Sequence, residues 1–182
     1  MDAFEHIAAR LFEVQGYWTR IGYSVELTKE QKVAVGQPSL PRPQLDVIAY
    51  KPSTNELLVI ECKSYLDSPG VMLAGFHGKE DATKDVYKLF NRARLRDVVL
   101  ATLLAQLRRE GLLLGDDPSV RLVLVAGKIY SKDEPKLRAF FAEKGWTFVG
   151  PSEVASGLRA FADRGYENDV VTFVTKLLER NR

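Results

Sequence analysis

Residues 44–63 read Gln-Leu-Asp-Val-Ile-Ala-Tyr-Lys-Pro-Ser-Thr-Asn-Glu-Leu-Leu-Val-Ile-Glu-Cys-Lys, and this stretch decides the fold. Its first part, 44–50, has the composition of a strand. Pro52, Ser53 and Asn55 mark a turn within 51–56. From Leu57 to Ile60 the chain is wholly apolar and partly β-branched, which predicts a buried central strand over 57–64. The two strands predict an antiparallel hairpin.

A strand that runs from Leu57-Leu58-Val59-Ile60 into Glu61-Cys62-Lys63 ends in charge. Charges at the end of a buried strand need partners, because burying them unpaired costs several kcal/mol, or about that. Residues two apart share a face, so Glu61 and Lys63 project together and Cys62 points the other way, where a small hydrophobe suits it. Asp46 and Glu61 lie about seven residues on either side of the turn, which makes them cross-strand neighbours. Two adjacent carboxylates repel, and a divalent cation relieves the repulsion. An oxygen-rich site that keeps its waters suits Mg²⁺ or Mn²⁺. Lys63 then has two available roles. It can orient or deprotonate an attacking water, or it can neutralise charge developing on a phosphate. Taken alone, Glu-x-Lys also reads as a solvent-facing ion pair worth about 0–1 kcal/mol.

Outward from the hairpin, Phe4, Ile7, Ala8, Leu11 and Phe12 recur at helical spacing and predict a helix over 2–15 that Gly16 ends. A first strand is expected over 19–27. Three prolines and a glycine make 35–43 irregular, and three glycines and a proline make 68–79 a mobile loop carrying His77 and Lys79. The longest helical pattern covers 83–109 and closes at Gly111. A continuous apolar run at 120–126 predicts a buried strand, possible in parallel pairing. A short helix around Pro135 ends at Gly145, a strand follows at 146–149, and helices follow near 152–163 and 168–180. The pattern predicts an α/β chain with a mixed central β-sheet flanked by helices. It reads as a single domain over 1–182, with the helices from about 151 onward as an extension.

The 182 residues are 46% hydrophobic and 27% charged, which excludes a disordered or collagen-like chain. No apolar run reaches the roughly 18 residues a membrane span needs. The early Asp2 and Glu5 are unlike a signal peptide. A single cysteine excludes an internal disulfide framework and suits a cytoplasmic protein. A net charge of +2 denies the surface a uniform basic character, so nucleic acid would need a local patch. Lys84, Lys88, Arg92 and Arg96 recur every fourth residue and supply one. On a continuous helix they would span about 18 Å and meet several phosphates.

Asp46 followed, after fourteen intervening residues, by Glu61-Cys62-Lys63 resembles the PD-(D/E)XK motif of the restriction-endonuclease-like nuclease superfamily. The opening Phe4-Glu5-His6-Ile7-Ala8-Ala9-Arg10-Leu11 with Gly16-Tyr17 is similar to the first helix of its Mrr-like branch. There a glutamate near the helix start faces the active site, a role that falls on Glu5, with Glu13 as second candidate. Leu45 stands where the family usually has proline, and Pro43 lies two places earlier. The resemblance covers roughly 1–130 and implies a restriction-endonuclease-like fold. It also implies Mg²⁺-dependent endonuclease or exonuclease activity on DNA, or RNA, in restriction, defence or repair. Asp46, Glu61, Lys63 and Glu5 would be catalytic, with Asp46, Glu61 and Glu5 holding the metal. Lys84, Lys88, Arg92 and Arg96 would meet nucleic acid. Such a chain would act as a homodimer or as a subunit of a larger complex. The alternative is a catalytically inactive nucleic-acid-binding or assembly module on the same fold.

Overall fold

The computed structural model describes residues 2–76 and 86–180. Its centre is a five-stranded mixed sheet whose spatial order β1-β2-β3-β4-β5 is also the chain order. The strands are β1 (Trp18–Ser24), β2 (Gln44–Lys51), β3 (Glu56–Lys63), β4 (Ser119–Ala126) and β5 (Thr147–Val149). β1, β2 and β3 form an antiparallel meander, and β4 and β5 then add in parallel. The α/β class and the mixed sheet expected from the sequence are present.

The β2–β3 turn is a single 3₁₀ turn over Pro52–Thr54, closed by Asn55 in the left-handed region at φ 48°. Asparagine tolerates that conformation better than most residues. The turn is held from outside: Tyr50 Oη donates to Asn55 Oδ1 at 2.9 Å, and Asn55 Nδ2 donates to the Asp116 carbonyl at 2.8 Å. A pinned turn sets the register, which pairs Val47 with Ile60 and Tyr50 with Leu57. Leu57 to Ile60 are all buried, each contributing about 1.5–3 kcal/mol of burial energy.

Alternation along β2, β3 and β4 feeds two cores. Ile48, Tyr50, Leu57, Val59, Leu122 and Leu124 face one layer. It holds α3 (Lys88–Asn91), α4 (Ala93–Arg109) and α5 (Glu134–Glu143). α4 packs there through Leu95, Val99, Leu103 and Leu107, a strict four-residue stripe. Val47, Ala49, Leu58, Ile60, Val123 and Val125 face the other layer, covered by α1 (Ala3–Glu13) and α6 (Pro151–Ala160). α1 is closed at its start by a capping box between Asp2 and Glu5. α7 (Val170–Arg180) lies against α6 on the same side.

Two of the differences from the sequence reading lie in the connecting segments. A short helix, α2 (Lys29–Ala34), precedes the proline-rich stretch, started by a capping box of Thr28 and Gln31. The glycine-rich stretch expected to be mobile is anchored in its described part. Val71 bridges to Ile129, and Phe76 is buried among aromatic rings. Its His77 and Lys79 lie outside the described residues.

Arg10 ties α1 to the turn ahead of α7. Its guanidinium stands 2.7 Å from Glu13, 2.9 Å from Glu167 and 3.4 Å from Asp169. Removing it leaves three carboxylates without their shared cation. Arg10→Ala is expected to cost about 1–3 kcal/mol in urea unfolding. Burial works to raise the Asp169 carboxyl, but the Thr172 amide, the Thr172 hydroxyl and Arg10 overrule it and hold it below its ordinary value. A lowered folded-state pKa stabilises above the unfolded value and is lost as pH falls through the folded one. The difference between wild type and Arg10→Ala should therefore be full above about pH 4 and shrink below it. A difference unchanged at lower pH would refute this assignment.

Candidate active site

The site forms where β2 and β3 reach the end of the sheet. Continuing the register beyond Val47–Ile60 brings Asp46 opposite Glu61. The ladder does not continue unaltered there: the Asp46 carboxylate accepts a hydrogen bond from the Cys62 amide at 2.8 Å. That bond fixes the carboxylate at the strand end. Lys63 Nζ donates to Glu61 Oε1 at 2.5 Å. Both side chains are largely withdrawn from solvent, with 19% and 24% of their areas exposed. Beyond Lys63 the chain passes close to β4. The Gly127 amide donates to the Lys63 carbonyl at 2.9 Å, and a Cβ at Gly127 would stand only 2.6 Å from the Ser64 carbonyl oxygen. Only glycine lets the two strand ends approach this closely.

Asp46, Glu61 and Lys63 open into one groove of about 460 Å³. One wall is the 40–45 segment, including Arg42 and Gln44. The other is Val86, Lys88 and Leu89 at the start of α3, with Leu95 and Val99 of α4. Burial pushes the Glu61 carboxyl above its ordinary range, Lys63 pulls against it, and Asp46 and Glu5 push it further up. Burial works to lower the Lys63 ammonium, but the charge and hydrogen bond of Glu61, with Asp46, overrule it and raise its pKa. Of the two roles open to it, the hydrogen-bonded ion pair with Glu61 favours stabilising negative charge over abstracting a proton.

The donor set fits Mg²⁺ or Mn²⁺ in its water-rich form. Mg²⁺ is commonly held by one or two carboxylates and completes its shell with water and phosphate oxygens. Here the two carboxylates share a partly dry groove with Lys63, and Lys88 and Arg42 line its walls, so Asp46 and Glu61 are the groups there that could hold a cation. Glu5 does not complete a third corner. It belongs to α1 in the opposite layer, its carboxylate accepts from the Asp2 amide at 3.4 Å, and it reaches Glu61 only through its charge. Among the described residues, no three or more His, Cys, Asp or Glu gather as a metal-holding group.

The basic stripe is broken. The expected helix over 83–109 is interrupted at Arg92, whose backbone is extended at φ −115° and ψ 92°. Lys88 lies on one helix and Arg96 on the next. Arg96 turns back to cap α3, donating to the Leu89 and Phe90 carbonyls at 3.1 and 3.2 Å, and its guanidinium covers the Trp146 ring. Of the three that are described, Lys88 alone lines the groove. Arg92 sits at the break, and Lys84 lies outside the described residues.

Two groups escaped the sequence reading. Arg42 lines the groove between two prolines, and a cation in an extended Pro-Arg-Pro segment just before a site strand was a readable signal. Tyr65 follows the motif in the left-handed region at φ 47°, and its hydroxyl shares a hydrogen bond with Tyr87. Nothing local marked it. Cys62 faces the opposite core, as parity predicts. Burial first, then Asp46 and Glu5, push its thiol well above the ordinary range. Maleimide is therefore expected to label Cys62 slowly in the native protein and promptly once it is unfolded. Rapid native labelling would contradict this placement.

Comparisons of the chain with protein-family models, curated proteins and solved structures find no match.

Proposed function

We propose that this chain is a metal-dependent nuclease of restriction-endonuclease-like fold that hydrolyses phosphodiester bonds of DNA. The observation that carries the reading is the convergence of Asp46, Glu61 and Lys63 on one groove at the end of the β2–β3 hairpin. The order α1, β1, α2, β2, β3, α3, α4 and then the parallel β4 supports the motif resemblance in its strands, with α2 inserted in the meander and the long helix divided. Asp46 and Glu61 would hold Mg²⁺ or Mn²⁺, which supplies Lewis-acid polarisation of the phosphate and an activated water. Lys63, held by Glu61, offers a fixed positive charge to the phosphate as negative charge builds in the transition state. Lys88 and Arg42 line the same groove and would meet neighbouring phosphates. Glu5 would add negative potential from across the sheet rather than a direct bond.

The test is cleavage of linear, circular, nicked and branched DNA, and of RNA, with Mg²⁺, Mn²⁺ or a chelator. Products that require the metal support the reading, and circular substrate separates internal from terminal cutting. Salt-sensitive binding without cleavage under any metal would replace it with the non-catalytic module.

A further inference from the structure

α7 is inside out. Thr172, only 1% exposed, faces the body of the protein. Its amide is capped by Asp169 at 2.9 Å. Glu179, further along, approaches Arg159 at 3.9 Å. The opposite side carries Val170, Phe173, Val174, Leu177 and Leu178, which with neighbouring Tyr166 are between 46% and 88% exposed. Positions 170, 173, 174, 177 and 178 form a continuous apolar stripe at helical spacing. Elsewhere among the described residues, exposed large apolar side chains are scattered, and scattered ones need no explanation. A contiguous stripe on an ordered helix does.

Charge and area choose the occupant. Residues 167–180 hold three acids and two bases, so the helix lacks the cationic polar face that an anionic lipid surface selects. Two of the nearby cations are already engaged. Lys176 donates to the Arg164 and Gly165 carbonyls, and Arg164 pairs with Glu167 at 2.8 Å. The acids Glu167 and Asp169 lie at the N-terminal end and the bases Lys176 and Arg180 towards the C-terminal end, so the helix complements itself when reversed. The exposed face amounts to roughly 700 Å² per chain, and two such faces to roughly 1,400 Å², the size of a standard stable interface.

We infer that α7 docks antiparallel against α7 of a second copy of this chain, about a two-fold axis near Val174. Val170 then faces the partner's Leu178, and Arg180 reaches the partner's Glu167–Asp169 turn. The arrangement is isologous, so it closes at the dimer.

Sedimentation equilibrium of the full chain at micromolar concentration is expected to give a dimer. Val174→Glu and Leu178→Glu should each weaken association at least about tenfold, a shift typical of a central apolar contact, and leave the circular dichroism unchanged. Val174→Cys should form a covalent dimer on oxidation, whereas Thr175→Cys, about 100° further round the helix, should not. A wild-type chain that stays monomeric overturns the proposal. So does a dimer that both glutamate variants leave intact, or a monomer that floats with phosphatidylserine vesicles. None of these readouts depends on nuclease activity.

Discussion

Lys63→Ala is expected to lower metal-dependent DNA cleavage by roughly 10²–10³-fold, the usual loss when one preorganised charge is removed from a phosphoryl site. The fall should appear in kcat, because in the proposed mechanism the ammonium would act on charge that develops only in the transition state. Lys63→Arg should recover little, since a planar fork does not reproduce a compact point charge at 2.5 Å from Glu61. Asp46→Asn separates two roles of one side chain. Its amide oxygen still accepts from the Cys62 amide, so the strand end stays in place, while the charge that would hold the metal is gone. A loss comparable to that of Lys63→Ala, with an unchanged melting temperature, is the expected result. Full activity in either variant would sink the mechanism, and matched unfolding curves would exclude misfolding as a cause of loss.

The largest stability effect is expected at Phe141. Its ring is 1% exposed and lies at the centre of an aromatic cluster. Ring centroids of Phe76, Phe90, Phe148 and Trp146 stand 5.1, 5.4, 5.5 and 5.8 Å away. These rings come from the anchored 68–76 stretch, from α3, from β5 and from the turn between α5 and β5. Phe141→Ala opens a cavity that so many separate elements cannot close together, and should cost about 3–5 kcal/mol in urea unfolding. The groove should suffer too, because Phe90 seats the helix that carries Lys88. A cost below about 1 kcal/mol would show that the cluster repacks freely.

The site hairpin was legible because its physics is local. Strand parity placed Glu61 and Lys63 on one face and Cys62 on the other, and symmetric counting from the turn put Asp46 across from Glu61. The break at Arg92 was not legible, since its cause is tertiary. The 83–109 pattern is helical throughout. Two contacts oppose its continuation: Asn91 Nδ2 reaches the Gly75 carbonyl at 2.9 Å, and Arg96 satisfies the carbonyls that end α3. α2 was missed for a different reason. Residues 29–34 bury nothing, so no periodicity flagged them, although Thr28 and Gln31 spell a helix start. α7 was recognised as a helix, but periodicity reports an apolar side without saying whether it faces in or out. Glu5 shows the limit of motif transfer: its position on the first helix was plain, yet capping geometry and its layer are properties of the folded chain.

Because each strand neighbours the next one in the chain, the sheet is a growing edge rather than a woven fabric. β2 and β3 close a turn of a few residues, whereas β4 joins only after the chain has looped from Lys63 to Ser119. Short closures cost less entropy and form sooner than long ones. The β2–β3 hairpin, with Asp46 and Glu61 at its end, can therefore pair before β4 is in place. For that interval β3 is a bare edge, apolar from Leu57 to Ile60 and open to any passing strand. The segment that carries the proposed site thus keeps an open edge until β4 arrives to cover it.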